Sequence, residues 1–333
     1  MKNNTYAIDV GSSNTKIYRL GAGVVLSEPS VVAVAAGERR QVKAVGLEAK
    51  KLIGKTAENT SIVCPVTEGG INNERIAVEM LSFFLKKVQQ GGEKVRSALV
   101  TVPCGMGEVD RYKLSAVLKG AGVTHFTFVQ NPVCAALGMN VPLSGFAPCF
   151  VVDMGGGVTN VAALSLDGII AGLSLSLGGS NIDAQLIDYV AYEHGLKIGL
   201  LTAERMKQQI GSLYPGDKTA AVVNGRDIST GRPRSISLTS EDVFQPMKLY
   251  FDRVAEVINL VLKKLPAEVS AEVRHSGVMI AGGTAKVPGM GEYLAGLLDM
   301  DVTVADHPEL AAVIGAGAIS GDKELYKQIK LSF

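Results

Sequence analysis

The chain has 333 residues, 47% of them hydrophobic and 20% charged, and its formal net charge at pH 7 is +1. This composition is typical of a folded protein of about two ordinary domains and excludes an intrinsically disordered chain. A nearly neutral charge without blocks of like charge argues against nucleic-acid binding, and no apolar run reaches the roughly 18 residues of a membrane span. We therefore expect a cytoplasmic protein that does not bind nucleic acid.

The first predicted element is a β-hairpin built around the phrase YAIDVGSSNTKIY at residues 6–18. An apolar run ends in Asp9, a turn containing Gly11 follows, and TKIYRL then alternates as a strand does. More strand is predicted in VVLSEPSVVAVAA, residues 24–36. A P-loop or a dinucleotide-binding loop needs a helix directly after the glycine turn, so the pattern excludes both.

A helix is predicted next, at residues 73–88, with Gly91 and Gly92 expected to end it. Its apolar positions recur at helical spacing and form one face: Ile76, Met80, Leu81, Phe84, Leu85 and Val88.

The phrase of the first hairpin recurs as FVVDMGGGVTNVA at residues 150–162. Aligned on their acids, the two copies share three positions: Asp9 with Asp153, Gly11 with Gly155, and Thr15 with Thr159. Strands again follow, in VTNVAALSL and IIAGLSLSL, with an Asp167-Gly168 turn between them. The repeat predicts two related α/β halves that face one another.

Three helices are predicted after the second hairpin. The first covers residues 181–195 and closes at Gly195, and the second covers 202–211 with Thr202 as its N-cap. The third runs from about residue 240 to 265, with Pro246 in its first turns or at a kink. Its buried seam is Met247, Tyr250, Val254, Val257, Val261 and Leu265. A strand, a glycine turn and an amphipathic stretch then follow in GVMIAGGTAKVPGM, residues 277–290.

The paired hairpins indicate a two-sided site for the phosphates of a nucleotide. Glycines let backbone N–H groups come close to phosphate oxygens because no Cβ blocks the approach. Asp9 and Asp153, each at a strand end, can hold a hydrated Mg²⁺ between the hairpins, mostly through its water molecules. The four cysteines, Cys64, Cys104, Cys134 and Cys149, form no C-x-x-C pair, so we interpret them as buried free thiols rather than as disulfides or metal ligands.

The three glycine elements together resemble the two phosphate motifs and the adenosine motif of the actin, sugar-kinase and heat-shock-chaperone superfamily. EPSVVAV, PVTEGGI, VTVPCGMGEVDR, NPVCAALG, LGGSNIDAQLIDY, AERMKQQIGSLYP and DHPELAAVIGAGA are similar, in order, to segments of bacterial actins of the MreB type. The agreement extends from about residue 6 to 318. The resemblance implies ATP with Mg²⁺ in a central cleft, with GTP not excluded, and polymerisation into filaments that organise cell shape.

The resemblance also implies the fold class. This is the α/β actin-like fold, in which two related ribonuclease-H-like domains surround a nucleotide cleft and are divided into four subdomains. Subdomain IA is expected at 1–29, 72–137 and 312–333, IB at 30–71, IIA at 138–177 and 247–311, and IIB at 178–246.

The family's binding residues map onto matching positions of this chain. The first phosphate loop would consist of Asp9, Gly11, Ser12, Ser13, Asn14 and Lys16, and the second of Asp153, Gly155, Gly156 and Gly157. Residues expected at the ribose and base are Gly178, Gly179, Asp183, Glu204, Lys207, Gly282, Gly283 and Lys286. Without the family, Glu204 and Lys207 would be interpreted as a solvated ion pair on one helix face.

The chain departs from the MreB pattern where the attacking water is oriented. VQNP places Gln130 where MreB proteins usually have a Glu. Asn160 stands where MreB tends to have Glu and actin has His, whereas Lys16 is more actin-like than MreB-like. An amide orients water but does not take its proton. We therefore expect Gln130, Asn160 and Asp153 to be catalytic and hydrolysis to be slow, by about one to three powers of ten.

Self-association into protofilaments is the expected interaction, with cell-shape or scaffold proteins as further partners. Membrane contact is left open, because the loop QQGGEKVRS after the first long helix has only Val95 as an apolar residue and no anchor is evident. The protein would then reach the inner face of the membrane through partners. The alternative functions are a small-molecule kinase or a chaperone-type ATPase of the same superfamily that does not polymerise.

Overall fold

Two five-stranded sheets with the same strand order form the centre of the molecule. The computed structural model describes residues 6–35, 37, 41–89, 94–141, 147–165 and 168–329. The first half contains, in chain order, β1 (Tyr6–Val10), β2 (Asn14–Arg19), β3 (Gly23–Pro29), β4 (Val32–Ala35), β5 (Val42–Val45), α1 (Leu47–Lys50), β6 (Thr60–Val63), β7 (Val66–Thr67), β8 (Gly70–Ile71), α2 (Glu74–Val88), β9 (Ser97–Val102), α3 (Glu108–Gly120), β10 (His125–Gln130) and α4 (Asn131–Gly138).

The second half continues with β11 (Cys149–Met154), β12 (Thr159–Ser165), β13 (Gly168–Leu175), α5 (Gly179–His194), β14 (Leu196–Lys197), α6 (Leu200–Ile210), β15 (Ala220–Asp227), β16 (Pro233–Thr239), α7 (Ser240–Leu262), α8 (Ala267–Ser276), β17 (Val278–Ala281), α9 (Met290–Leu298), β18 (Val302–Val304), α10 (Ala311–Gly321) and α11 (Lys323–Ile329). Two 3-10 turns, Gly283–Lys286 and Pro308–Leu310, lie on either side of α9 and β18.

The two large sheets repeat one topology. The strand order is β3-β2-β1-β9-β10 in the first half and β13-β12-β11-β17-β18 in the second. In each sheet the first hairpin is antiparallel, and its leading strand pairs in parallel with a later strand. The predicted duplication is therefore confirmed at the level of the fold. Smaller sheets, β5-β4-β6 and β14-β15-β16, extend each half.

The strand register brings the two acids to equivalent places. Directly paired residues of neighbouring strands carry their side chains on the same face of a sheet. Each half therefore presents a row of three residues across its hairpin strands: Asp9, Lys16 and Ser27 in the first half, and Asp153, Asn160 and Ser174 in the second.

Amphipathic helices cover the sheets much as their apolar spacing predicts. The whole predicted face of α2 is buried, and the helix begins after Asn73, whose Oδ1 accepts a hydrogen bond of 3.1 Å from the Ile76 amide. Helix α7 buries Met247, Tyr250 and Val254 in the core of the second half. None of the described helices is both long and apolar enough to cross a membrane.

Helix α10 packs closely on α4. A Cβ on Gly138 would lie 1.9 Å from the Ala311 carbonyl oxygen, and one on Gly315 would lie 1.8 Å from that of Cys134. These two glycines allow direct backbone contact between the helices. Because α10 also contacts β1 and β2, the chain crosses to the second half after α4 and returns to the first with α10.

Several local predictions are wrong. Helix α6 begins at Leu200, not after Thr202, because the Gly199 carbonyl accepts the first intrahelical bonds. Helix α7 ends at Leu262, so Leu265 lies beyond it. Pro266 follows Leu265 and disfavours a helical conformation in the residue before it. Cys64 is exposed, whereas the other three cysteines are buried.

Two further predictions fall where nothing is described. Gly91 and Gly92, expected to end the first long helix, and Asp167 of the second turn lie outside the described residues. Val95, the apolar residue of the loop considered for membrane contact, is buried.

Candidate functional site

A cleft of about 460 Å³ lies where the hairpin turns of the two sheets face each other. Most residues predicted from the sequence line it: Asp9, Gly11, Ser12, Ser13, Asn14, Lys16, Asp153, Gly155, Gly156, Gly157, Asn160, Gly179, Asp183, Glu204, Lys207, Gly282, Gly283 and Lys286. Gly178 and Gln130 are not among the lining residues. The fold thus brings together segments from both halves, and the cleft is their common surface.

The two glycine turns touch one another at the floor of the cleft. A Cβ on Gly156 would lie 1.9 Å from Ser13 Oγ, and one on Gly157 would lie 2.8 Å from Ser12 Oγ. Gly178 packs behind this contact, since its Cβ would lie 2.5 Å from the Gly156 carbonyl carbon. The glycines are therefore required for the two turns to meet.

Asp9 is held by two donors of its own half. Lys16 Nζ lies 2.9 Å from Asp9 Oδ2, and Thr101 Oγ1 donates to Asp9 Oδ1 at 2.9 Å. Burial disfavours the charged form of Lys16, but the charge and hydrogen bond of Asp9 outweigh burial and raise the Lys16 pKa. Lys16 therefore stays cationic inside the cleft, where it is suited to a phosphate group.

Asp153, the equivalent acid of the second half, is held by amides. Asn160 Nδ2 donates to Asp153 Oδ2 at 3.1 Å, and the nearby Asn131 side chain also favours the charged form and lowers the pKa of Asp153. Burial raises the pKa of Asp153 to about 6, the Asp9 charge adds to the rise, and the Lys16 charge opposes it. Asp153 thus carries the less compensated negative charge of the pair.

The far side of the cleft is lined by α5 and α6. Lys207 Nζ lies 2.7 Å from Asp183 Oδ1 and donates to the Gly179 carbonyl at 2.8 Å. Burial raises the pKa of Asp183, although the Lys207 charge opposes the rise. Glu204 pairs with Lys50 of the first half and not with Lys207, so the solvated Glu204–Lys207 pair considered from the sequence is not formed.

The third glycine turn closes the cleft on the side of β17. Gly282 has a φ of +89°, and its Cβ would lie 2.2 Å from the Met154 carbonyl oxygen, so only glycine suits this position. Thr284 Oγ1 donates to the Gly155 carbonyl at 2.8 Å, which ties this turn to the second hairpin turn. Lys286 Nζ lies 3.0 Å from Glu309 Oε1 at the rim.

Gln130 ends β10 beside the cleft but does not line it, whereas its neighbour Asn131 does. The Oε1 atom of Gln130 and the Oδ1 atom of Asn131 are both buried without a hydrogen-bond partner. Sequence reasoning missed Asn131, Thr101 and Glu309 as lining residues. The NP dipeptide that starts α4 was the signal for Asn131, because the residue before the helix proline lies at the strand end.

The donor set fits a hydrated cation better than a closed metal cage. Among the described residues, no three His, Cys, Asp or Glu side chains converge as metal ligands. The two carboxylates, Asp9 and Asp153, lie on opposite halves of one cleft beside the glycine turns. Mg²⁺ keeps most of its water and takes one or two carboxylates together with substrate phosphates, so this arrangement suits it.

The comparisons with known proteins agree on one family. The model of the MreB/Mbl protein family matches residues 3–328. The chain is 34% identical over 323 residues to the cell shape-determining protein MreB of Escherichia coli (strain K12), covering 95% of this chain and 93% of the relative. It is 31% identical over 328 residues to the cell shape-determining protein Mbl of Bacillus subtilis (strain 168), covering 98% of each.

Solved structures share the fold. MreB 5 of Spiroplasma citri bound to AMPPNP has a TM-score of 0.90 at 25% identity, covering 97% of both chains. The same protein bound to ADP has a TM-score of 0.89 at 25% identity, again covering 97% of both chains. The MamK double helical filament has a TM-score of 0.78 at 20% identity, covering 95% of this chain and 98% of that one, and shows the fold alone.

Proposed function

Because the chain belongs to the MreB/Mbl family and has its actin-like fold, we propose that it binds ATP with Mg²⁺ in the cleft and assembles into cytoskeletal filaments that determine cell shape. One observation carries the nucleotide part of this proposal: two equivalent hairpin turns, each with an acid at its strand end, face one another across one cleft. The similar MreB 5 structures hold AMPPNP and ADP, which supports a nucleotide in this cleft.

The two turns and Lys16 receive the phosphates. Gly11 to Asn14 on one side and Gly155 to Gly157 on the other bring backbone close to the anion, and the buried Lys16 adds a positive charge. Asp9 and Asp153 would hold Mg²⁺, mostly through its water molecules. When bound, the ion would neutralise negative charge on the phosphate oxygens.

The ribose and the base lie toward α5, α6 and the third glycine turn. Gly178 and Gly179 let the ribose approach, and Asp183 with Lys207 provides a paired acceptor and donor beside it. Glu204 lies near the base, which Gly282, Gly283 and Lys286 enclose on the other side. These groups do not exclude GTP. We propose ATP because the family resemblance favours it.

Hydrolysis is slow because amides replace a carboxylate beside the attacking water. Gln130 is the residue that the resemblance assigns to this water, but Asn131 is the amide that lines the cleft. Both orient water without accepting its proton. Substituting each amide by itself separates the two contributions.

Assembly proceeds by head-to-tail stacking of one chain on the next into protofilaments, a heterologous contact that does not close on itself. We propose the subdomain ranges that the resemblance implies. We also propose that the protein lies in the cytoplasm. It reaches the inner face of the membrane through partner proteins, among them other cell-shape or scaffold proteins.

The test is sedimentation of purified protein with ATP and Mg²⁺, with ATP and EDTA, and without nucleotide. We expect pelleting and filaments in electron micrographs with ATP and Mg²⁺. A protein that stays monomeric and releases ADP only when a sugar or other small acceptor is added would instead be a kinase of the same superfamily.

A further inference from the structure

Asn160 connects Asp153 to the opposite half of the molecule. The side chain is 1% exposed and lies on β12 directly opposite Asp153 on β11. Its Oδ1 accepts two hydrogen bonds, one from the Cys104 backbone amide at 3.0 Å and one from Ser174 Oγ at 2.8 Å. Its Nδ2 donates to Asp153 Oδ2 at 3.1 Å.

These bonds leave one orientation for the Asn160 amide. A backbone N–H only donates, so the oxygen of the amide faces Cys104. The nitrogen then faces Asp153, and a carboxylate oxygen accepts from it. Because two donors already engage Oδ1, this atom does not serve as the acceptor that orients an attacking water, which is the role the family resemblance suggests for Asn160.

The bond to Cys104 crosses between the halves. Cys104 follows β9 of the first half, and the preceding residue, Pro103, lines the cleft. Asn160 and Asp153 belong to the second half. The position of the Asp153 carboxylate is therefore linked to the placement of the first half against the second.

The equivalent position in the first half carries a cation. Lys16 lies opposite Asp9 as Asn160 lies opposite Asp153, and it also donates to the Oδ2 atom of its acid. On the parallel side, Thr101 is paired with Asp9, whereas Ala281 is paired with Asp153. In the described part of the chain an ion pair is formed by Asp9 but none is formed by Asp153.

We propose that Asn160 is a positioning residue that aligns Asp153, the acid of the pair without a cation, with the first half through the Cys104 amide. The two halves thereby differ in function: Lys16 offsets the charge of Asp9, so of the two acids that would hold Mg²⁺, Asp153 contributes most of the Mg²⁺ dependence. The Mg²⁺ part of this inference rests on the proposed function, whereas the link to Cys104 does not.

The first experiment tests the link without nucleotide. Hydrogen–deuterium exchange of the Cys104 amide is measured in the wild type and in Asn160→Ala, with thermal unfolding as the check on folding. Because the variant removes the acceptor of this amide, we expect exchange at least about tenfold faster. Unchanged protection of Cys104 in a folded variant would overturn the link.

The second experiment measures ATP affinity by calorimetry in Mg²⁺ and in EDTA. Asn160→Ala should reduce the ratio of the two affinities by about tenfold to a hundredfold, the range for one hydrogen bond to a charged group. Asn160→Lys, which copies Lys16, should bind ATP more tightly in EDTA than the wild type does. It should also lose the Mg²⁺ increment, which is the gain in ATP affinity in Mg²⁺ over that in EDTA. Ser27→Ala, at the exposed end of the equivalent row, is the control that should behave as the wild type.

Wild-type Mg²⁺ dependence in both Asn160 variants would overturn the positioning role. A wild-type protein that binds no nucleotide would refute the proposed function instead, and the exchange of the Cys104 amide would still decide whether Asn160 links the halves.

Discussion

Lys50 and Glu204 join the two halves of the molecule by an ion pair between residues 154 positions apart. Lys50 Nζ lies 2.8 Å from Glu204 Oε1 and 2.7 Å from Oε2. Lys50 ends the short helix α1 of the first half, whereas Glu204 is on α6 and lines the cleft. A nucleotide that contacts the Glu204 carboxylate therefore shares it with Lys50.

Removing this pair should speed nucleotide release. Both side chains are about one-third exposed, 32% and 29%, so the pair contributes little free energy in water. We expect Lys50→Ala to raise the release rate of a fluorescent nucleotide by about two- to fivefold, as a loss of up to about 1 kcal/mol implies. The matched control is Lys51→Ala, because Lys51, directly after α1, pairs with Glu48 of the same half. Equal release rates in both variants would contradict the prediction.

The contact between the two glycine turns should be essential for binding. In Gly156→Ala the new Cβ falls 1.9 Å from Ser13 Oγ and 2.6 Å from Ser13 Cβ, so the turns must separate. We expect ATP affinity to fall at least about tenfold in calorimetry, because the backbone donors of the two turns no longer face one phosphate group. Gly296→Ala is the control: this glycine is in helix α9 with open space around its Cβ, and alanine there should stabilise the helix by about 0.5–1 kcal/mol. Wild-type affinity in Gly156→Ala would refute the two-sided site.

Asp153 should weaken the fold at neutral pH. Burial raises the pKa of Asp153 from 3.8 to about 6 in the folded state. Above pH 6 the folded protein therefore holds a buried charge, which lowers its free energy of unfolding. This loss of stability disappears as the pH falls from about 6 to the pKa of the unfolded chain. Asp153→Asn should therefore raise the free energy of unfolding at pH 8 by up to about 3 kcal/mol, and the variant should melt at a higher temperature than the wild type. The difference should shrink between pH 6 and pH 4. A variant that melts lower than the wild type at pH 8 would contradict this sign.

The titration of Asp153 should also appear in the pH dependence of Mg²⁺-dependent ATP binding. Protonation removes the charge that Asp153 offers to the cation, so the Mg²⁺ increment in affinity should decline as pH falls through about 6. Asp153→Asn should lack both the increment and its pH dependence. A wild-type increment that is constant from pH 8 to pH 5 would show that Asp153 does not take part.

The rate of phosphate release should separate the two amides at the end of β10. Asn131 lines the cleft and Gln130 does not, so Asn131→Ala should slow hydrolysis in assembled protein more than Gln130→Ala, by about tenfold. Gln130→Glu and Asn131→Glu test whether a carboxylate restores faster turnover. If Gln130→Ala is the slower variant, the residue assigned by the resemblance is the one that orients the water.

The duplicated hairpins could be predicted from the sequence because their signal is local. Asp9 and Asp153 each end an apolar run, and the strand register then places Lys16 and Asn160 opposite them. No spacing in the chain predicts the pair Lys50–Glu204, because its distance is set only when α1 and α6 meet in the folded protein.

The wrong element boundaries have a similar origin. Thr202 is a good N-cap residue by propensity, but the Gly199 carbonyl already starts the turn, and glycine at this position gives only a weak signal. The exposure of Cys64 depends on how β6 lies at the end of its small sheet, which residue type alone does not determine.

Sedimentation of the wild type and of Asp153→Asn, each with ATP in Mg²⁺ and in EDTA, tests most directly whether nucleotide in this cleft drives assembly. We predict that the wild type pellets as filaments only with ATP and Mg²⁺, and that the variant stays in the supernatant although it is folded. Filaments that form equally with and without ATP, or a wild type that binds ATP and remains monomeric at high concentration, would contradict it.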